Sequence, residues 1–158
     1  MLGRLYEGQI CSAARALEIV GERWSLLIVR NAMFGGMTRF TDFQRSLGVA
    51  PNILTKRLAD FVEAGIFELR PGEAGGHAEY VLTSKGFDLQ PAIIALTQWG
   101  DRWAAPDGRP VTYFHQDCGG RVALATECTR CGERPPPGGV VARIARRFRE
   151  ARYGWTGR

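Results

Sequence analysis

The stretch HQDCGGRVALATECTRCGE, residues 115–133, gathers three of the four cysteines and one of the two histidines of a 158-residue chain. Its two halves repeat a pattern, His115-x-x-Cys118-Gly119 and Cys128-x-x-Cys131-Gly132. Two residues between ligands let one turn present both to a tetrahedral metal, and the following glycine lets the backbone curl round it. His115, Cys118, Cys128 and Cys131 are therefore candidate ligands of one structural zinc ion per chain. Four protein ligands would leave no coordination position for a substrate. The nine residues between the turns are fewer than a zinc ribbon usually spans. Free thiols in a β-hairpin, or a Cys118–Cys128 or Cys128–Cys131 disulfide formed on oxidation, account for the same residues.

The fourth cysteine, Cys11, stands apart. It falls near the start of a predicted first helix, off the stripe formed by Ile10, Ala14 and Leu17. Arg15 follows one turn later, and a nearby cation favours the reactive thiolate. The competing reading is a small packed hydrophobe, the usual role of a free cysteine.

Periodicity supplies the elements around these residues. QICSAARALEIVG reads as a helix with Ile10, Ala13, Ala14 and Leu17 on one face. ERWSLLIVRNAMF reads as a second, with Trp24, Leu27, Ile28 and Met33 inward. TRFTDFQRSLG reads as a third, with Thr38 or Thr41 as its cap and Gly48 ending it. In VAPNILTKRLADFVEAG, Pro51 suits a first turn, Leu54, Leu58, Phe61 and Val62 make the apolar stripe, and Gly65 closes the helix. IFELR and HAEYVLT read as two strands of a hairpin with a glycine-rich tip. Leu89, Ile93, Leu96, Trp99 and Trp103 mark a last helix, kinked or restarted at Pro91. The expected fold class is mainly α with a β-hairpin wing, a winged helix-turn-helix, plus a small C-terminal β-ribbon-like appendage. Three regions are expected: residues 1–104, the winged helix-turn-helix; 105–139, the Cys/His segment; and 140–158, an arginine-rich tail.

The net charge of +5 is confined to that last region; the two preceding regions are each neutral. A nucleic-acid reading must therefore rest on local patches rather than on net charge. The tail RIARRFREARYGW reads as an amphipathic basic helix, able to track phosphates, cover a partner subunit or stay solvated. No apolar run reaches the roughly 20 residues needed to span a bilayer, and the N-terminus has no secretory h-region. A cytoplasmic protein with reduced cysteines and no membrane partner is expected.

The motifs C-S-A-A-R-A-L-E-I-V-G-E-R-W-S-L-L-I-V-R, G-G-M-T-R-F-T-D-F, L-T-K-R-L, Y-V-L-T-S-K-G and L-x-x-W-G follow in order from Cys11 to Gly100. In this they resemble the HxlR-type transcription regulators, MarR-like winged helix-turn-helix proteins. The resemblance implies a homodimer built largely from the first and last helices. It implies a recognition helix in the major groove and wings near the flanking minor groove. It also implies that a cysteine at the start of the first helix acts in some members as an oxidant or electrophile sensor. The wing departs from the family's basic or proline-rich tips, because RPGEAGGHAEY puts Glu73 at its tip and Glu79 beside Tyr80.

On that footing the candidate DNA contacts are Asn52 and Thr55, near the recognition-helix N-terminus, and Lys56, suited to guanine or phosphate. Arg39 and Arg57 are candidate phosphate contacts, and Arg70 and His77 are the cations of the wing. The expected function is a homodimeric DNA-binding regulator on a two-fold related operator, responsive through Cys11. The alternative is a winged-helix protein-interaction module with a structural zinc ribbon and no DNA binding. No Ser/His/Asp order, phosphate loop or paired carboxylates support an enzyme.

Overall fold

A computed structural model describes Tyr6, residues 11–72 and residues 76–145. Ile10, Glu73 and the tail from residue 146 lie outside the described residues. The elements run α1 (Ser12–Val20), α2 (Ser25–Gly35), α3 (Phe40–Leu47), α4 (Pro51–Glu63), β1 (Phe67–Arg70), β2 (Glu79–Leu82), α5 (Ser84–Phe87) and α6 (Gln90–Trp103). The chain divides into two compact units between Gln90 and Pro91. The 1–104 boundary drawn from sequence followed the turn-rich APDGRP, whereas this division follows the restart of the helix at Pro91.

The first unit is a winged helix-turn-helix. Its core joins Ile28 and Val29 of α2, Phe43 of α3, Leu54, Leu58 and Phe61 of α4, and Phe67 and Leu82 of the hairpin, all buried. The Phe67 ring meets Phe43 edge-on at 6.3 Å and Phe61 at 5.8 Å, so one aromatic ties the wing to both helices of the motif. Buried Asn31 accepts from the Arg30 guanidinium at 2.8 Å and donates to Ser46 Oγ at 2.9 Å, linking α2 to α3. Gly48 ends α3 with φ +61°, a left-handed turn that redirects the chain into α4. The α3 cap is Arg39, with no side-chain capping bond. Thr38 and Thr41 were expected there, but Thr38 instead gives its carbonyl to the Tyr80 amide at 2.8 Å.

The hairpin is antiparallel, with Phe67 opposite Leu82 and Arg70 opposite Glu79. Thr83 caps α5 by accepting from the Gly86 amide. Pro91 restarts rather than kinks the last helix.

Two apolar stripes read from the sequence are open. On α1, Ala13 is exposed and Leu17 is 51% exposed. On α6, Ile93 is buried, but Leu96, Trp99 and Trp103 on the same stripe are exposed.

The second unit contains α6 from Pro91 and the segment beyond it. Thr97 Oγ1 donates to the Ile93 carbonyl at 2.9 Å, so the Tyr113 hydroxyl, 3.0 Å away, donates to Thr97. The Leu124 amide donates to Gln98 Oε1 at 3.2 Å. The segment RVALATE, whose apolar residues alternate loosely, forms no strand. One antiparallel bridge, Phe114 with Arg121, is present in the region, and no residue from 105 to 145 is buried. Alternation yields a strand when one face is covered; here Val122 and Leu124 are both exposed.

Candidate nucleic-acid interface

Helix α4 presents the face expected of a recognition helix. Leu54, Leu58 and Phe61 bury one side. Asn52, Thr55 and Lys56 are exposed on the other. The Thr55 hydroxyl donates to the Pro51 carbonyl at 2.9 Å, which leaves its lone pairs to accept from a base amino group.

The C-terminal end of α4 is held by residues to which the sequence gave no role. Lys85 Nζ donates to the Ala64 carbonyl at 2.6 Å, and Thr83 Oγ1 to the Gly65 carbonyl at 2.7 Å. A cation at the carbonyl end of a helix is favoured by the helix dipole. A Cβ on Gly86 would stand 2.5 Å from the Ile66 carbonyl oxygen and 2.6 Å from Leu82 Cδ2, so only glycine fits this approach. The motif YVLTSKG thus fastens the recognition helix to the root of the wing. Its signal was a threonine and lysine flanking the chain's return from a hairpin.

The four Lys and Arg candidates each face a carboxylate. Lys56 Nζ lies 3.2 Å and Arg57 Nη2 2.8 Å from the same Asp60 oxygen. Arg57 differs from the expectation of an open phosphate contact, because its side chain is only 13% exposed in that pair. Arg70 Nε donates to Glu68 at 2.7 Å, although Glu79 is its cross-strand neighbour. Glu79 is engaged by Arg39, at 3.2 Å. The Thr38–Tyr80 backbone bond explains that pairing, since it lays the residue before α3 beside β2. His77 is exposed on the wing. The pairs of Lys56, Arg39 and Arg70, whose cations are exposed, are worth little by themselves.

Cys11 is partly exposed and caps α1 in an extended conformation rather than lying within the helix. The Arg15 guanidinium is committed to Glu18, 2.8 Å away, and to the Tyr6 carbonyl.

The four candidate metal ligands form two pairs. Among the described residues no three or more His, Cys, Asp or Glu side chains gather at one point. Within the first pair His115 Nδ1 stands 3.2 Å from Cys118 Sγ. Within the second, the Cys131 and then the Arg130 backbone N–H groups, with a lesser contribution from the Cys131 side chain, hold the Cys128 thiol below its usual range.

Among the described residues no helix is long and apolar enough to cross a membrane. Residues 19–108 match the family described as HxlR-like helix-turn-helix. An uncharacterized HTH-type transcriptional regulator of Mycobacterium tuberculosis is 42% identical over 154 residues, covering 91% of this chain and 96% of the relative. The crystal structure of PA1607, described as a candidate transcription factor, is 42% identical with a TM-score of 0.76, covering 87% of this chain and 95% of that one. The reduced form of the transcriptional regulator YodB from Bacillus subtilis is 27% identical with a TM-score of 0.53, covering 62% of this chain and 98% of YodB; YodB has also been solved with a quinone bound. With a winged helix-turn-helix, an exposed recognition face and relatives that are transcription regulators rather than enzymes, the chain belongs to the HxlR-like helix-turn-helix family of transcriptional regulators.

Proposed function

We propose that two copies of this chain bind a two-fold related duplex site in the cytoplasm, each inserting the N-terminal half of α4 into the major groove. The observation that carries this is the exposed trio Asn52, Thr55 and Lys56 on a helix fixed at its other end by Thr83 and Lys85. Asn52 suits the paired acceptor and donor of adenine, and Lys56 suits guanine or phosphate. Arg39, Arg70 and His77 contact the backbone on either side, after Arg39 and Arg70 exchange their carboxylates for phosphate.

The open stripe of Leu96, Trp99 and Trp103 supports self-association through α6, and Leu17 adds an apolar position on α1. Large exposed aromatic residues in a row are characteristic of interfaces rather than of a free surface. Cys11, partly exposed at the head of α1, is the thiol proposed to respond to oxidants or electrophiles. Support comes from its position and from YodB, which has reduced and quinone-bound forms.

Selection of bound sequences from random duplex DNA, with and without diamide, tests the whole reading. The expected product is an inverted repeat whose recovery changes on oxidation in the native chain and not in Cys11→Ser. Enrichment of no sequence would favour a protein-interaction role for the winged helix.

A further inference from the structure

The segment from 105 to 145 lacks a single buried residue, yet its backbone makes one specific turn twice. At the first, the His115 amide donates to the Gly120 carbonyl at 2.8 Å and the Gly119 amide returns to the His115 carbonyl at 2.9 Å. At the second, the Cys128 amide donates to the Glu133 carbonyl and the Gly132 amide returns to the Cys128 carbonyl, both at 2.8 Å. Position for position the bonds are the same. The glycine that follows the second candidate ligand of each turn has a left-handed φ, +65° at Gly119 and +72° at Gly132.

Two such turns, 13 positions apart, are not explained by core packing, because all of their residues except the half-buried Cys128 are exposed. The first turn brings two candidate ligands side by side. A nitrogen and a sulfur bound to one tetrahedral zinc, at about 2.0 and 2.3 Å, stand about 3.5 Å from each other. His115 Nδ1 and Cys118 Sγ are already 3.2 Å apart. The Asp117 carboxylate lies 3.7 Å from Nε2, on the far side of the ring, where an outer carboxylate orients a metal-bound histidine.

We propose that the two turns are the halves of one zinc site per chain, with His115 Nδ1, Cys118, Cys128 and Cys131 as its four ligands. Binding joins the two pairs by drawing in the irregular link between Val122 and Glu127. Three thiols lose their protons to solvent, the imidazole binds in its neutral form, and no redox change occurs. The metal then serves as the cross-link of a segment too poor in buried surface to hold itself together. With all four positions filled by protein, the site is structural.

The test uses the full chain purified under reducing conditions without added metal. One zinc per chain by elemental analysis, with three sulfurs and one nitrogen by X-ray absorption, is the expected result. In Cys118→Ser and Cys131→Ser, zinc affinity measured by competition with a chromogenic chelator falls at least tenfold. Circular dichroism of the same variants shows whether the winged helix stays folded; if it does not, the absorption measurement on the native chain decides alone. Half a zinc per chain would mean that two chains share the metal and overturns the site as drawn. So does a ligand count other than three sulfurs and one nitrogen. Less than about a fifth of a zinc per chain, with all three thiols titrating freely in the folded protein, overturns the metal altogether.

Discussion

Arg39, which begins α3, reaches the Glu79 carboxylate on the second wing strand at 3.2 Å, across 40 positions of sequence. The pair makes Glu79 a competitor for the same guanidinium that a phosphate would use. Glu79→Gln is expected to tighten duplex binding roughly two- to fivefold, the range that one exposed ion pair commands. The gain should shrink as salt is raised. Fluorescence anisotropy with a labelled operator at two salt concentrations measures it. Weaker binding by Glu79→Gln would mean that the carboxylate positions Arg39 instead of competing for it.

Asn52→Ala should weaken binding to the selected operator by about 1–3 kcal/mol while leaving random duplex almost unaffected. Lys56→Ala should lower the affinity for both and reduce the salt slope by about one counterion if it meets a phosphate. Equal affinities for native and variant chains would remove this face of α4 from the interface.

Lys85→Met removes the ammonium from the Ala64 carbonyl at the end of α4. A loss of about 1 kcal/mol in urea unfolding is expected, with most of the apolar stem retained. Gly86→Ala should cost more, roughly 1–3 kcal/mol, because its methyl would be driven against Ile66 and Leu82. If Gly86→Ala is as stable as the native chain, the wing root is looser than its close contacts imply.

Trp99→Glu places a charge in the middle of the open α6 stripe. Sedimentation should show this variant as a monomer, and its operator affinity should fall more than roughly tenfold, as expected when an aromatic anchor is lost. A variant that still sediments as a dimer would shift the contact elsewhere.

Helix α4 was legible in the sequence because all of its signals agree: Pro51 begins it, Leu54, Leu58 and Phe61 recur at helical spacing, and Gly65 follows its end. The wing was legible for a similar reason, since β-branched and aromatic residues flank a glycine-rich tip. The stripes on α1 and α6 show where such reading stops. Periodicity identifies an apolar face but carries no information on whether the same chain covers it, and Leu17 and Trp99 lie open on theirs. RVALATE shows the same limit, since alternation without a covering layer does not make a strand. Among the site residues, the pairing of Lys56 and Arg57 with Asp60 lies within helical reach and was readable from spacing. The Arg39–Glu79 pair was not, because it depends on the Thr38–Tyr80 backbone bond that brings two distant segments side by side.

The exposed indoles of α6 have an optical consequence. The chain has four tryptophans; Trp99 is 62% and Trp103 65% exposed, while Trp24 is half-buried beneath the Arg23 guanidinium. Among the described tryptophans, the emission of an isolated chain is therefore weighted toward water-relaxed, red-shifted indoles and is open to collisional quenching by iodide or acrylamide. Any surface that closes over α6 would move that emission to the blue and shield it from quencher, giving the protein an unlabelled spectroscopic record of its own assembly.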